Sequence, residues 1–306
     1  CVLRVESLMI PPRTATNMVF ALFVVFPNVL YSTPCFIMTP SIQATTAQFP
    51  GYTFEEACDR IAEGVTEGFG RVHMDHVQLC PQASDFVDEI CIQKLQKKYP
   101  QTKFRLHANV RIDRALRILD ASKYSKECKW YYQRLAELSK QMSASGYSLH
   151  SGYRKNASLE KMKDNVLEIQ SFFPCDVMVE GMYPDDRKDW LIKNWEEYEW
   201  LLNSKLLYAI DLSHLNIVKK RLNTVDVGLV YELLSHPNCR EIHLSYNHGN
   251  HDSHLQLKSK FYEDSWWKEV WLDAMEQRER NGIELPIHFT EGRCAMRTPN
   301  RKRKRT

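Results

Sequence analysis

The chain has 306 residues, of which 43% are apolar and 26% charged, the balance of a globular protein with room for one large barrel or two ordinary domains. Its formal charge of +3 is misleading: the last ten residues, RTPNRKRKRT, carry six of the 41 basic side chains and no acid, so residues 1–296 hold 35 basic against 38 acidic groups. That excludes a broadly basic nucleic-acid grip over the body and confines strong phosphate attraction to a local patch or to the tail.

In chain order, the first feature is the apolar run Met18–Phe26, preceded by Arg4 and Arg13 and broken by Pro27. It is too short to span a bilayer. A signal-peptide core is one reading. Against it stand nine cysteines, an odd number with no CxxC pair, which point to reduced thiols inside the cell, in the cytoplasm. Residues 1–33 are read as an N-terminal extension. Cys175 and Cys239 precede strand-like runs and read as core packing.

From residue 34 short apolar runs alternate with amphipathic stretches. CFIMT (35–39) is the expected first strand, followed by a helix over 54–68 with Phe54, Ala57, Cys58, Ile61 and Val65 on one face. A strand follows at 71–79, then a helix at 84–99 with Ser84 as its N-cap. Further strands are expected at 103–110, 147–150, 176–180, 206–211, 240–245 and 285–291. Helices are expected at 124–145, 158–173, 195–203, 224–236 and 263–282, the last stopped by Gly282. Strict β/α alternation over this length predicts a (β/α)8 TIM barrel over 34–294, followed by a disordered basic tail at 295–306. An open doubly wound sheet is the competitor, weakened by the lack of a glycine-rich loop after the first strand.

The strands end in an unusual way. The third ends at His107 and the fourth at His150. The fifth ends at Glu180, and the sixth at Asp211 with His214 three residues on. The seventh carries His243, with Asp252 and His254 in its loop, and the eighth ends at Glu291. A barrel gathers all these tips on one face, where barrel active sites sit. Buried unpaired charge is costly, and a metal ion offsets that cost. Carboxylate oxygen and imidazole nitrogen suit zinc, manganese, cobalt, magnesium or iron.

The order and spacing of these residues resemble the endonuclease IV / xylose-isomerase-like TIM-barrel superfamily, over roughly residues 35–292. Matching features are the strand-5 Glu180, the D-x-x-H of Asp211 and His214, the strand-7 His243, the D-x-H of Asp252 and His254, and the strand-8 Glu291. The resemblance implies up to three divalent ions, zinc favoured. His107, His150 and Glu180 would hold one. Glu180, Asp211, His243 and Glu291 would hold a second, and His214, Asp252 and His254 a third. Glu180, Asp211 and Glu291 are the implied catalytic residues. The surroundings differ from the endonuclease pattern: LHANV and LHSGY stand at the tips of strands 3 and 4, and Glu180-Gly-Met-Tyr replaces Glu-Asn-Thr.

Plainer readings stand beside these. Asp211 and His214 also suit a helix cap and a packed imidazole, and Glu180 and Glu291 a rim ion pair with Arg154 or Arg293. His248 and His251 are register alternatives to His254. His73 and His76 have some claim on the cleft, while His236 and His288 read as structural. Trp266 and Trp267 read as helix packing before a base-stacking platform. Three activities follow from the resemblance. The first is a metal-dependent hydrolase of phosphodiester bonds acting on abasic-site DNA. The second is a sugar isomerase or epimerase using one ion. The third is an iron-dependent peptide-modifying enzyme.

Overall fold

Eight parallel strands close on themselves in sequence order, the eighth pairing back onto the first. The computed structural model describes residues 40–64, 72–113 and 119–294. Its elements are β1 (Ile42–Thr45), α1 (Phe54–Ala62), β2 (Val72–Leu79), α2 (Glu89–Lys98), β3 (Lys103–Leu106), α3 (Lys126–Gln141), β4 (Gly146–His150), α4 (Leu159–Gln170), β5 (Asp176–Glu180) and α5 (Trp195–Asn203). They continue with β6 (Tyr208–Asp211), α6 (Leu212–Leu222), α7 (Val227–Ser235), β7 (Cys239–Leu244), α8 (Ser259–Glu263), α9 (Lys268–Arg280) and β8 (Ile287–Thr290). This is the (β/α)8 barrel that the alternation predicts.

Local chemistry starts most of the helices. Thr53 caps α1 in a full capping box with Glu56, and the side chains of Asp88, Ser125, Ser158, Asn194 and Asp226 cap α2, α3, α4, α5 and α7. Each such cap is worth about 1 kcal/mol. The apolar helix faces then pack around the strands, with Tyr131, Tyr132, Tyr198, Trp271 and Phe54 among the fully buried side chains.

Four expectations change. The strand expected at 35–39 lies outside the described residues, and the barrel's first strand is the more polar Ile42–Thr45. The helix expected from Ser84 starts at Glu89, because Asp85 turns back to accept from the Phe54 amide and Val87 donates to Arg111 O. The stretch 263–282 divides into the end of α8 and the longer α9. The residues after Asp211, to which the alternation assigns no element, form a helix, α6. The proposed extension and tail, 1–33 and 295–306, lie outside the described residues.

Beneath the strand tips the barrel floor is polar and closed. Arg105 and Glu241 are both buried and pair at 2.5 Å. Gln78 donates to Glu241 at 2.7 Å, and Ser148 also donates to it. The guanidinium lies 5.5 Å from the Phe289 ring centre, a cation–π contact. It crosses the barrel only because position 146 is glycine: a Cβ there would overlap the Arg105 guanidinium. Cys58, Cys80, Cys91, Cys128, Cys175 and Cys239 are unpaired thiols. Among the described residues no helix is long and apolar enough to cross a membrane.

Candidate metal centre

Parallel register brings the strand-end residues side by side. His150 on β4 is level with Glu180 on β5, and Asp211 on β6 is level with His243 on β7. Glu180 sits at the hub. Its carboxylate oxygens lie 3.4 Å from His107 Nε2, 3.5 Å from His150 Nε2, 3.5 Å from His243 Nδ1 and 3.6 Å from His214 Nδ1. Glu291 closes the other side, 3.7 Å from His107, 3.9 Å from His243 and 3.4 Å from His254. Asp252 lies 2.9 Å from His254 Nε2 and 3.6 Å from His214 Nε2. All nine residues expected at the site therefore meet in one place. Three groups bring ligand atoms within 4.8 Å of one another: His107 with Glu180 and His243, Glu180 with Asp211 and His214, and Asp211 with His243 and Glu291.

The imidazoles are held from behind. His107 Nδ1 donates to Ala108 O at 3.1 Å, and His214 Nδ1 donates to Gly181 O at 2.9 Å. His243 Nε2 donates to Glu241 at 2.5 Å. Each acceptor holds a proton on the nitrogen behind and so turns the opposite nitrogen toward the centre, the one that would give its lone pair to a cation. One oxygen of Asp211 caps α6, accepting from the Ser213 and His214 amides, and the other is buried 3.4 Å from His214 Nε2 without a hydrogen bond. The cap is made by one oxygen, which leaves the other for a ligand role.

Electrostatics reflect an excess of buried carboxylates. Burial opposes ionisation of Glu180, but His243, His107 and His150 override it and hold the carboxyl well below its usual range. Burial works against the charged His214 and His254 too, yet neighbouring carboxylates raise them to about 10 and about 9. His107 and His243 are raised in the same way by Glu180 and Glu291. Asp211 is pushed up by burial and by Asp252, Glu291 and Glu180, against the pull of His214. His150 goes the other way, lowered by burial to about 4. The metal-free cluster thus holds extra protons to balance its acids. A divalent cation supplies the same balance and releases them.

The residues fit such a cation. Glu180 Oε2, Asp211 Oδ2, His243 Nδ1, Asp252 Oδ1 and His254 Nδ1 are buried without hydrogen-bond partners. Orphaned groups of this kind cost about 1–3 kcal/mol each, more when charged, unless something satisfies them. A cavity of about 290 Å3 opens above the centre, walled by Asn109, Tyr153, Met182, Tyr183, Lys188 and Trp190. Tyr153 and Trp190 stack at 4.2 Å and join by an isolated antiparallel bridge, fastening the β4 and β5 loops together.

The alternatives resolve. His248 and His251 are exposed, whereas His254, in a left-handed backbone conformation (φ 44°), faces Asp252 and Glu291. His73 lies early in β2 and His76 in its middle, short of the strand's C-terminal tip, and His76 packs on Phe289. His288 accepts from Trp271, and His236 stacks on Tyr208. Trp267 is buried against Tyr262 and Trp271. Arg154 pairs with Glu197 instead of Glu180. Sequence reasoning missed Glu241 and Arg105. The period-2 alternation of REIHL puts Glu241 on the same face as His243, which was the available signal.

No protein-family model matches the chain, and no curated protein does. Solved structures do match. The chain is similar to a D-tagatose 3-epimerase-like protein at 14% identity and TM-score 0.52, over 83% of this chain and 91% of that one. It is similar to an AP endonuclease, family 2, from Brucella melitensis at 12% identity and TM-score 0.52, over 83% and 93%. It is also similar to a D-psicose 3-epimerase at 8% identity and TM-score 0.54, over 82% and 84%. At such identities the likeness is one of fold, and that fold is the one the resemblance implies.

Proposed function

We propose that the protein is a metal-dependent enzyme that hydrolyses phosphodiester bonds at the mouth of its barrel. One observation carries this reading: more acid and imidazole side chains converge than a single ion can take. His107, Glu180, Asp211, His214, His243, Asp252, His254 and Glu291 would hold divalent ions, zinc favoured because it takes both imidazole nitrogen and carboxylate oxygen. Such ions lower the pKa of bound water toward neutrality and offset charge developing on phosphate oxygens. Glu180 sits between the imidazoles as the shared carboxylate, while Asp211 and Glu291 orient the attacking water. Lys188, on the cavity wall, brings a positive charge to the substrate's phosphate. Abasic-site DNA is the substrate to try first. The unpaired thiols support an intracellular setting.

A second reading is a sugar isomerase or epimerase. The cavity supports it, because about 290 Å3 is at the small end for ligand pockets and suits a single sugar. Glu180 and Glu291 would then act as acid and base on either side of the sugar. Iron-dependent peptide modification has no counterpart among the neighbours named above. The deciding experiment measures metal per chain, then assays an abasic-site oligonucleotide and a ketohexose. Strand scission with more than one ion per chain supports the hydrolase. Epimerisation with a single ion overturns it in favour of the second reading. Absence of bound metal overturns both.

A further inference from the structure

We infer that His150 is a hydrogen-bond donor to the substrate rather than a metal ligand, locked in its Nε2–H tautomer by Asn109. The inference rests on the proposed metal-dependent reading only for what His150 donates to. The tautomer itself follows from the hydrogen bonds.

The chain of constraints starts at a backbone amide. Leu119 N–H donates to Asn109 Oδ1 at 2.7 Å. A backbone N–H can only donate, so the oxygen of the Asn109 amide must face Leu119. The amide nitrogen therefore faces the other way, 3.2 Å from His150 Nδ1. That NH2 can only donate, so Nδ1 must accept, and the neutral ring carries its hydrogen on Nε2. Asn109 is held in place by a left-handed backbone (φ 61°), a conformation asparagine tolerates better than most residues.

The contrast with the neighbouring imidazoles is chemical. His107, His214 and His243 each have an acceptor behind them, a carbonyl or a carboxylate, and so present a lone pair to the centre. His150 has a donor behind it and presents N–H. An N–H cannot ligate a cation. Its Nε2 is 3.5 Å from Glu180 Oε2, long for a hydrogen bond, and the ring lines the cavity. With no short acceptor in the protein, the donor is free for an oxygen of a substrate in that cavity, a phosphate oxygen on the first reading or a sugar hydroxyl or carbonyl on the second.

The test reads the tautomer and the metal count separately. Nitrogen-15 spectra of the full chain, with the His150 signal assigned by its loss in His150→Gln, should show Nε2–H before and after zinc is added. A ring that carries its hydrogen on Nδ1, or whose Nε2 shifts to a zinc-bound position, overturns the inference. His150→Ala should bind as many zinc ions per chain as the unaltered protein, and loss of one ion would overturn it. Asn109→Asp keeps an acceptor for Leu119 but replaces the donor behind His150 with a second acceptor. It should flip the tautomer to Nδ1–H. If the unaltered chain takes up no zinc at all, the metalloenzyme reading fails, and the tautomer is still read from the metal-free spectra.

Discussion

His243 Nε2 lies 2.5 Å from a carboxylate oxygen of Glu241, two residues earlier on the inner face of β7. Glu241 cannot follow the ring, because Arg105, Gln78 and Ser148 clamp it from across the barrel. The floor of the barrel therefore sets the aim of His243 Nδ1 at Glu180 and Glu291. Packing far below the substrate cavity is in this way tied to the geometry of the candidate metal centre.

Glu241→Gln should weaken zinc binding about 10–100-fold, the usual effect of removing a carboxylate behind a ligating histidine. It should also destabilise the fold by about 3–5 kcal/mol, because Arg105 is left as a buried unpaired charge. The two effects separate in the double variant with Arg105→Met, which should regain stability in urea unfolding but not zinc affinity in calorimetric titration. Unchanged zinc affinity in Glu241→Gln would remove the positioning role.

Asp211 serves α6 and the centre with different oxygens, so two substitutions separate its roles. Asp211→Asn retains a good cap and should keep the midpoint of unfolding while losing bound metal. Asp211→Ala loses the cap as well and should cost a further 0.5–2 kcal/mol or so. Metal content by elemental analysis checks the first, and denaturant unfolding of the metal-free proteins the second. Full metal content in both would remove Asp211 from the site.

Much of this site is legible in the chain because strands run apolar until they stop, and then turn abruptly to acid or imidazole, as in YAID before Leu212 or DVMVE before Gly181. A helix cap accounts for one oxygen of Asp211, but nothing in the packing calls for the buried carboxylate of Glu180. The polar first strand IQAT was harder to see, since Gln43 and Thr45 break the apolar run that marks β5 or β6. Helix α6 had only its cap to announce it: Asp211 suits an N-cap, but the alternation assigns no element to the stretch after it. Arg105–Glu241 and Asn109–His150 are pairings across long sequence separations, which no local pattern encodes.

Metal-free protein should lose stability in alkaline solution. His214 and His254 titrate near 10 and near 9 in the folded chain, above the unfolded value of about 6.5. Raised folded values favour the folded state fully below the unfolded pKa. That contribution is lost as pH rises through the folded values. The window is therefore from about pH 6.5 to 10, with stability falling throughout. Bound zinc replaces those protons, so the loaded protein should show a flatter profile over the same range. Its zinc affinity should rise with pH as fewer protons must leave. Thermal unfolding across this range with and without zinc is the measurement, and parallel profiles would count against proton–metal exchange at these two residues.

Gly181→Ala should damage both the fold and the centre. A Cβ at this position would overlap the Tyr198 ring and lie 2.6 Å from its hydroxyl. Tyr198 cannot yield, being fully buried and bonded through that hydroxyl to Met182 O at 2.8 Å. The tip of β5 must shift instead, and it carries Glu180 and the carbonyl that accepts from His214 Nδ1. Overpacking of this kind costs about 1–3 kcal/mol. Zinc affinity should fall with it, because the shared carboxylate and one imidazole lose their alignment together. Gly228→Ala in α7 is the control: its Cβ would meet only Asp226 Oδ1 at 3.5 Å, so the change should be neutral or stabilise by about 0.5–1 kcal/mol. If Gly181→Ala binds zinc as tightly as Gly228→Ala does, the close approach of Tyr198 to the β5 tip does not govern the site.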